Sequence, residues 1–571
     1  MTGQREGELM APGSRRVPLV VVGLAVLLAL PAVAAGGFRG SKAEAKVLRV
    51  GTTYYISSFN PFVGIETNDS VAYSMVYPQL VQYVPGEKIG SDWASSWKSS
   101  RGGLTWTFHL RKGKWSDGTP LTSADAVWTI STVLKYKSGP TAYVASSYEG
   151  IKNASAPDPQ TLVINYSHPI GPALSNLSQT YILPKHVWSA KLGKNGKGLQ
   201  EFRPQEKDNL PIVAGGPYTV TQYEQKGTTA FKPNPNFYGP RSKSAGVAFT
   251  YYTNATSMVV DMERGKLDYI DSLPYGAADA AKTKPGIKVN VGGGTEVTNL
   301  GFNSNPKKSK NRELLSPRLK EAFEYAIPRQ QIVDVVFSGH AKPWANILSP
   351  ASKGEGWLNP AVKPLPYNPA RANRTLDALG YKRGADGLRV VPATTGKLAQ
   401  PAHVMRYSVI VPNDLDFNGD RQFDILATAF RKIGVKLNLV PGGDGAQAYE
   451  LITAPGGKYL KADMYTWYWH PYIDPSYNLS VVTKAEWYNN SDTGFDDPLY
   501  DRWWKKQASL VNVKQRQALV WKMEAYLAKE RPYIQLIVAD AISAESPKWT
   551  GFQPTLGGMC KCYFTSPHPL S

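Results

Sequence analysis

Thr105-Trp106-Thr107-Phe108-His109-Leu110-Arg111-Lys112-Gly113-Lys114-Trp115-Ser116-Asp117-Gly118-Thr119-Pro120-Leu121-Thr122-Ser123-Ala124-Asp125-Ala126-Val127 decides the reading of the fold. Trp106, Phe108 and Leu110 alternate with Thr107, His109 and Arg111, the period of a half-buried strand. Ser116, Asp117, Gly118 and Pro120 are turn formers packed together. Thr122-Ser123-Ala124-Asp125 then opens an apolar helix. Thr122 is its candidate N-cap, and Asp125 lies in the first turn, where the helix dipole favours an anion. Read alone, the residues make a strand, a tight turn and a capped helix, a scaffold corner with nothing catalytic in it.

The chain around this corner has 571 residues, too many for one ordinary core, so two or three domains are expected. A hydrophobic content of 42% with 11% aromatic is globular. The 32 tyrosines and 15 tryptophans suit broad binding surfaces, although most rings are needed for core. The net charge is +20, but the bases are scattered. The densest run, Lys307-Lys308-Ser309-Lys310-Asn311-Arg312, is short and loop-like. Attraction to an anionic cell envelope is the simpler reading, and no nucleic-acid partner is expected. The two cysteines, Cys560 and Cys562, form neither a disulfide framework nor a zinc ligand set, and read as free or locally bonded thiols.

At the N-terminus, Arg15 and Arg16 precede an apolar run over 17–35 that ends in Ala32-Val33-Ala34. This reads as a secretory signal peptide over 1–35, with a linker over 36–46. The run also approaches the length of a spanning helix, so an uncleaved anchor is the alternative. There is no cysteine near the cleavage point to carry a lipid.

The opening stretch resembles the signature "LR.G.KWSDGTPLTA.D" of the family 5 extracellular solute-binding proteins. Further segments follow in that family's order. Ser58-Phe59-Asn60-Pro61-Phe62 resembles its "LDP" segment, and Tyr181 to Trp188 is similar to "ILPKH.W", in which His186 reads as structural. Gly215-Gly216-Pro217-Tyr218 is similar to "GTGPY", Asn234 to Gly239 to "N..Y.G", and 315–329 to "SDPRVRQAL.YAIDR". The resemblance covers about 47–550.

It implies an α/β, two-lobed periplasmic-binding-protein-like fold, type II, in the large three-subdomain variant with a hinge and an interlobe cleft. Its expected division is lobe I over 47–90, an inserted subdomain over 91–204, lobe I again over 205–300, lobe II over 301–530, and lobe I with the tail over 531–571. The apolar pattern further predicts an amphipathic helix in Ile425 to Val440, with Lys432-Ile433-Gly434-Val435 as its stop and the start of a strand, and another helix over 515–529.

Site residues also follow from the resemblance. In the family the turn before the first helix faces ligand, which points to Ile65, Glu66 and Thr67; a solvated loop carboxylate is the competing reading of Glu66. The segment 463–475 resembles the family's ligand-wall strand ending in "DP". It carries Trp467, Tyr468, Trp469, His470 and Asp474. Peptide-binding members place an aspartate before that proline to pair with an N-terminal ammonium. Aligned on Pro475, Pro471 stands there instead, and Asp474 is the nearby carboxylate. The rings of Trp467, Tyr468 and Trp469 suit stacking or cation–π contact, with burial in a core strand as the competing reading. Asn489 and Asn490 fall in a match to "Y.N...P.YD".

Asp414 to Asp420 has the spacing of half a calcium loop, but position twelve is Ile425, so an Asx-rich turn is expected, with no resident metal or cofactor. No G-x-S-x-G, H-E-x-x-H or Walker sequence occurs. The expectation is a monomeric extracytoplasmic receptor, periplasmic or cell-surface and not lipid-modified. It would take a small molecule or peptide, most of all an oligopeptide, and deliver it to the permease and ATPase subunits of an ABC importer. Alternatives are a receptor for an oligosaccharide or metal chelate, a binding protein without transport, and an extracellular glycan hydrolase.

Overall fold

The opening stretch folds as it reads. In the computed structural model Thr105–Leu110 is a strand, with Phe108 and Leu110 buried and His109 exposed. It lies between Ala94–Ser100 and Thr161–Tyr166 in an antiparallel four-stranded sheet completed by Ile151–Asp158. Ser123–Tyr136 is the helix, and Thr122 N donates to Asp125 Oδ2 at 3.0 Å, one arm of a capping box. The turn between is closed by Trp115 N donating to Thr119 O at 2.8 Å. Gly118 takes φ +91° there, which favours glycine. Trp115 is fully buried, and its carbonyl accepts from Asn236 Nδ2 at 3.0 Å. Ser116 Oγ accepts from Ala214 N at 3.0 Å, so three of the resembling segments meet at this corner. His186 is structural, 2.8 Å from Asp117 Oδ2.

The structure describes residues 46–64, 66–294, 296–396, 399–413, 418–443, 445–453, 462–469, 472–487, 491–553 and 561–570. The expected signal peptide, the linker up to 45, the calcium-like residues 414–417 and Cys560 lie outside them. Cys562 is disulfide-bonded. No helix among the described residues is long and apolar enough to cross a membrane.

Two larger sheets carry the rest. The first has seven strands, in the order Tyr218–Gln222, Thr228–Pro233, Gly246–Tyr251, Val47–Thr52, Tyr269–Ile270, Ile542–Glu545 and Lys288–Val291. One of its faces shares a core with the four-stranded sheet, joining Val50, Phe108, Trp115 and Trp188. The second sheet has six strands, in the order Ala341–Pro343, Tyr533–Ala539, Val297–Phe302, Met464–Trp469, Arg406–Val411 and Lys436–Pro441. Apolar clusters cover both its faces.

The chain crosses from the first large sheet to the second between 291 and 297, and returns between 539 and 542. The two crossings run side by side: Gly292 N donates to Ala541 O at 2.7 Å, and Ala539 N to Glu296 O at 2.9 Å. The expected boundary at 530 therefore needs correction. Tyr533–Ala539 pairs with Val297–Phe302 inside the six-stranded sheet, and the chain re-enters the first sheet only at Ile542. The helix expected from 425 stops where the pattern placed its end, at 432, with a strand following, but begins earlier. It spans Gly419–Lys432, with Phe423, Leu426 and Phe430 buried, and 436–440 belongs to the edge strand Lys436–Pro441. The N-cap residue of the helix is Asn418, in the left-handed conformation at φ 51°. The other long helix, Val513–Glu530, lies where the pattern placed it.

Gly301 shows how tightly the second sheet is packed. It stands opposite Tyr465 in register, and a Cβ there would lie 2.2 Å from that ring. Gly301→Ala is expected to cost about 1–3 kcal/mol through overpacking. The urea midpoint should fall with an unchanged slope.

Candidate functional site

In the first sheet, Val47–Thr52 runs parallel to Gly246–Tyr251 and to Tyr269–Ile270, so all three strands end at one edge. Beyond carboxyl ends of parallel strands is where open α/β sheets hold ligands. The residues that leave this edge are Tyr54, Tyr55, Tyr252 and Asp271, and the helix Thr67–Val76 begins beside them. Asp69 locks the approach. Its carboxylate accepts from Ser57 N and Ser57 Oγ, both at 2.6 Å, and from Glu66 N at 3.0 Å.

Glu66 is the N-cap residue and is half-buried, and Tyr55 donates to its Oε1 at 3.0 Å. That bond to the carboxylate pushes the Tyr55 hydroxyl up. Tyr55 also meets Tyr251 edge-on, with centroids 5.8 Å apart, and Lys226 Nζ lies 5.5 Å from its ring. Thr67 is the first residue of the helix, and Ile65 lies outside the described residues. Asp271 was not singled out by sequence. Burial pushes its carboxyl up to about 7. Its Oδ1 is buried without a partner.

In the second sheet, Met464–Trp469 lies antiparallel to Val297–Phe302, with Trp469 opposite Val297 at the end next to the crossing. The three aromatic residues divide. Trp469 is buried, with Tyr477 and Tyr533 edge-on at 6.2 and 6.5 Å, which are core contacts. Trp467 and Tyr468 are half-buried and stack at 5.9 Å with a 25° interplanar angle. Of the three rings these two are the more exposed. His470, Asn489 and Asn490 lie outside the described residues.

Asp474 does not stand open to a ligand. Arg516 grips both its oxygens at 2.7 Å, and the two side chains are only 12% and 3% exposed. The guanidinium lies 4.6 Å over Trp357 and donates to Ser476 Oγ at 2.8 Å and Gln507 Oε1 at 3.1 Å. A carboxylate so held is an anchor for its own loop.

Next to this anchor the two halves touch. Ile89 N donates to Glu355 Oε1 at 2.8 Å, and Gly171 N to Ala508 O at 2.6 Å. Tyr83, Ala351 and Ile473 close an apolar cluster over the same seam. Tyr143, missed by sequence reasoning, is 60% exposed, and partial burial and then the Asp69 carboxylate push its hydroxyl up. No sequence signal marks it, since it sits in a short 3-10 turn with no motif.

Among the described residues no group of three or more His, Cys, Asp or Glu is placed to hold a metal ion. A surface hollow of about 560 Å³ lined by Asp386, Arg406, Arg431 and Lys436 lies elsewhere. Arg406 and Lys436 begin the parallel strands that pair there, so the hollow is at their amino ends. Arg406 and Asp386 also pair with each other, at 3.0 Å.

Residues 88–490 match the bacterial extracellular solute-binding proteins, family 5, middle part. A Brucella ovis protein described as a candidate ABC transporter peptide-binding protein is 26% identical over 365 residues, 62% of this chain and 63% of its own. The match thus spans somewhat under two thirds of that relative's length. NikZ from Campylobacter jejuni, solved in complex with Ni(L-His), superposes with a TM-score of 0.71 at 20% identity, covering 91% of this chain and 99% of its own. The oligopeptide-binding protein AppA from Bacillus subtilis, solved with a nonapeptide, gives a TM-score of 0.70 at 18% identity, covering 93% and 100%.

Proposed function

Because the chain belongs to the bacterial extracellular solute-binding proteins of family 5, we propose that it is an extracytoplasmic binding receptor, without catalysis, that captures an oligopeptide and passes it to the permease and ATPase of an ABC importer. The observation that carries this reading is the pairing of two edges about the double crossing. Trp467 and Tyr468 leave the second sheet there with partly open rings, and Tyr55 and Glu66 leave the strand ends of the first. The sheets serve as cores of two lobes, and the crossings at 292–296 and 540–541 as their hinge. Ligand that touches both lobes only when they are closed shifts the population toward closed. Ile65, Thr67, His470, Asn489 and Asn490 belong to the same proposed wall.

A peptide relative and a bound nonapeptide in a similar fold favour peptide cargo. One observation favours a second reading. With Asp474 held by Arg516, the carboxylate nearest to the family's ammonium partner is not available. Stacking rings without that partner suit an oligosaccharide or a metal chelate.

A melting series against tri- to pentapeptides, oligosaccharides and metal chelates separates these. The expected result is a rise specific to peptides. At a hundredfold excess over Kd it corresponds to about 2.7 kcal/mol of added stability. Turnover of any ligand in the panel would refute the receptor reading.

A further inference from the structure

We propose that Asn299, backed by Gln535, is the polar anchor of the cargo site, and that it takes an amide group of the ligand. The inference rests on the receptor reading above.

Asn299 stands in the middle of the six-stranded sheet, opposite Trp467 on one side and Gln535 on the other. The three residues form one rung across adjacent strands, on the face that carries Trp467. A register shift between Thr298 and Asn299 marks the same place. Asn299 is 0% exposed, yet neither its Oδ1 nor its Nδ2 has a hydrogen-bond partner. Gln535 is 5% exposed, and its Oε1 is likewise unpartnered.

Buried amides are nearly always paired, because an unpaired one loses water and gains nothing. Two on one rung, beside a half-buried tryptophan and two residues from the crossing at 297, are a local conflict of the kind kept at binding sites. The apolar alternative was open at this rung, since the neighbouring positions Val297 and Leu300 are apolar.

The donor set selects the ligand. A carboxamide offers N–H donors and a carbonyl acceptor side by side. A carboxylate would meet the Nδ2 donors but face the oxygens of Asn299 and Gln535. An ammonium would meet those oxygens and leave Nδ2 unpaired. A peptide-type amide, with one N–H and one C=O, answers both, and its flat face can lie against Trp467.

Asn299→Leu keeps the size and removes the polarity, so it separates binding from structure. Titration of wild type and variant with an alanine tripeptide and pentapeptide is expected to show at least tenfold weaker binding in the variant. The variant's own melting temperature should be unchanged or higher, whereas a residue that merely holds the sheet together would lower it. Gln535→Leu is expected to weaken binding in the same direction, and it carries the test if Asn299→Leu does not fold. Equal affinity in wild type and variants, whatever the melting temperature, overturns this inference and leaves the receptor reading intact. Failure of the wild type to bind either peptide overturns both.

Discussion

Replacing Arg516 by Met should cost about 3–5 kcal/mol of folding stability, because it leaves the Asp474 carboxylate buried without a counter-charge. The pair is bidentate at 2.7 Å, and both partners are largely removed from water. Such a charge is poorly solvated by what remains, namely Ser476 N, which donates to Asp474 Oδ1 at 2.9 Å. The stacking of the guanidinium on Trp357 is lost as well. At about 2.1 cal/mol/K per residue over roughly 525 residues, the loss lowers Tm by about 3–5 °C. The double variant Asp474→Asn/Arg516→Met should recover most of it, since breaking a buried pair costs more than deleting one. Arg516→Lys should recover little, because an ammonium cannot grip two oxygens and stack at once. Recovery is read from the same melting curves, and a double variant as unstable as the single would refute the account. Ile473 packs on Tyr83 and Ala351 at the seam, so the single variant should also weaken ligand binding.

The second large effect changes with pH. Glu524 is 2% exposed. Its Oε2 accepts from Asn346 Nδ2 at 2.7 Å and Asn359 N at 2.6 Å, while Oε1 has no partner. Burial pushes this carboxyl up to about 8, well above the ordinary value of 4.5. The native state therefore holds a proton that the unfolded state gives up. Below about pH 4.5 both states are protonated and Glu524 contributes nothing to the pH dependence. As pH rises toward 8 the native state loses stability relative to the unfolded one, and above 8 the loss is complete. Glu524→Gln mimics the protonated form. It should match wild type near pH 5 and exceed it at pH 8.5 by on the order of 2–4 kcal/mol. Urea unfolding of both proteins at the two pH values checks this, and an equal difference at both would sink it.

What was legible in the sequence was local. The turn at Asp117 and Gly118 and the helix capped by Thr122 and Asp125 rest on partners a few residues apart, and the strand at 105–110 shows in its own alternation although it pairs with 94–100 and 161–166. Alternation and capping are written at that range. The two-sheet α/β architecture came through resemblance to a family. Which sheet a late strand joins was not legible: 533–539 is wholly buried and apolar enough for either. The site was least legible. Asp474 stood out as an acid, but Arg516 lies 42 positions further on, and no spacing rule links them. Asp271 gains its character from leaving a strand end beside Thr52, and Asn299 from its two neighbours across the sheet. Both depend on strand order, which crossovers set and composition does not. Of the aromatic run, the strand's own alternation could have separated buried Trp469 from its neighbours only with the sheet's packing known.

The late strands have one more consequence, for the order in which the molecule can be made. Val47–Thr52 and Ile542–Glu545 flank Tyr269–Ile270 in one sheet, and Tyr533–Ala539 sits between early strands of the other. Neither sheet can be finished until the ribosome has delivered residues from the far end of the chain. Contacts of such long range form slowly, because the intervening loop must close first. Its two large sheets are therefore completed late, after the four-stranded sheet whose strands all lie within 94–166.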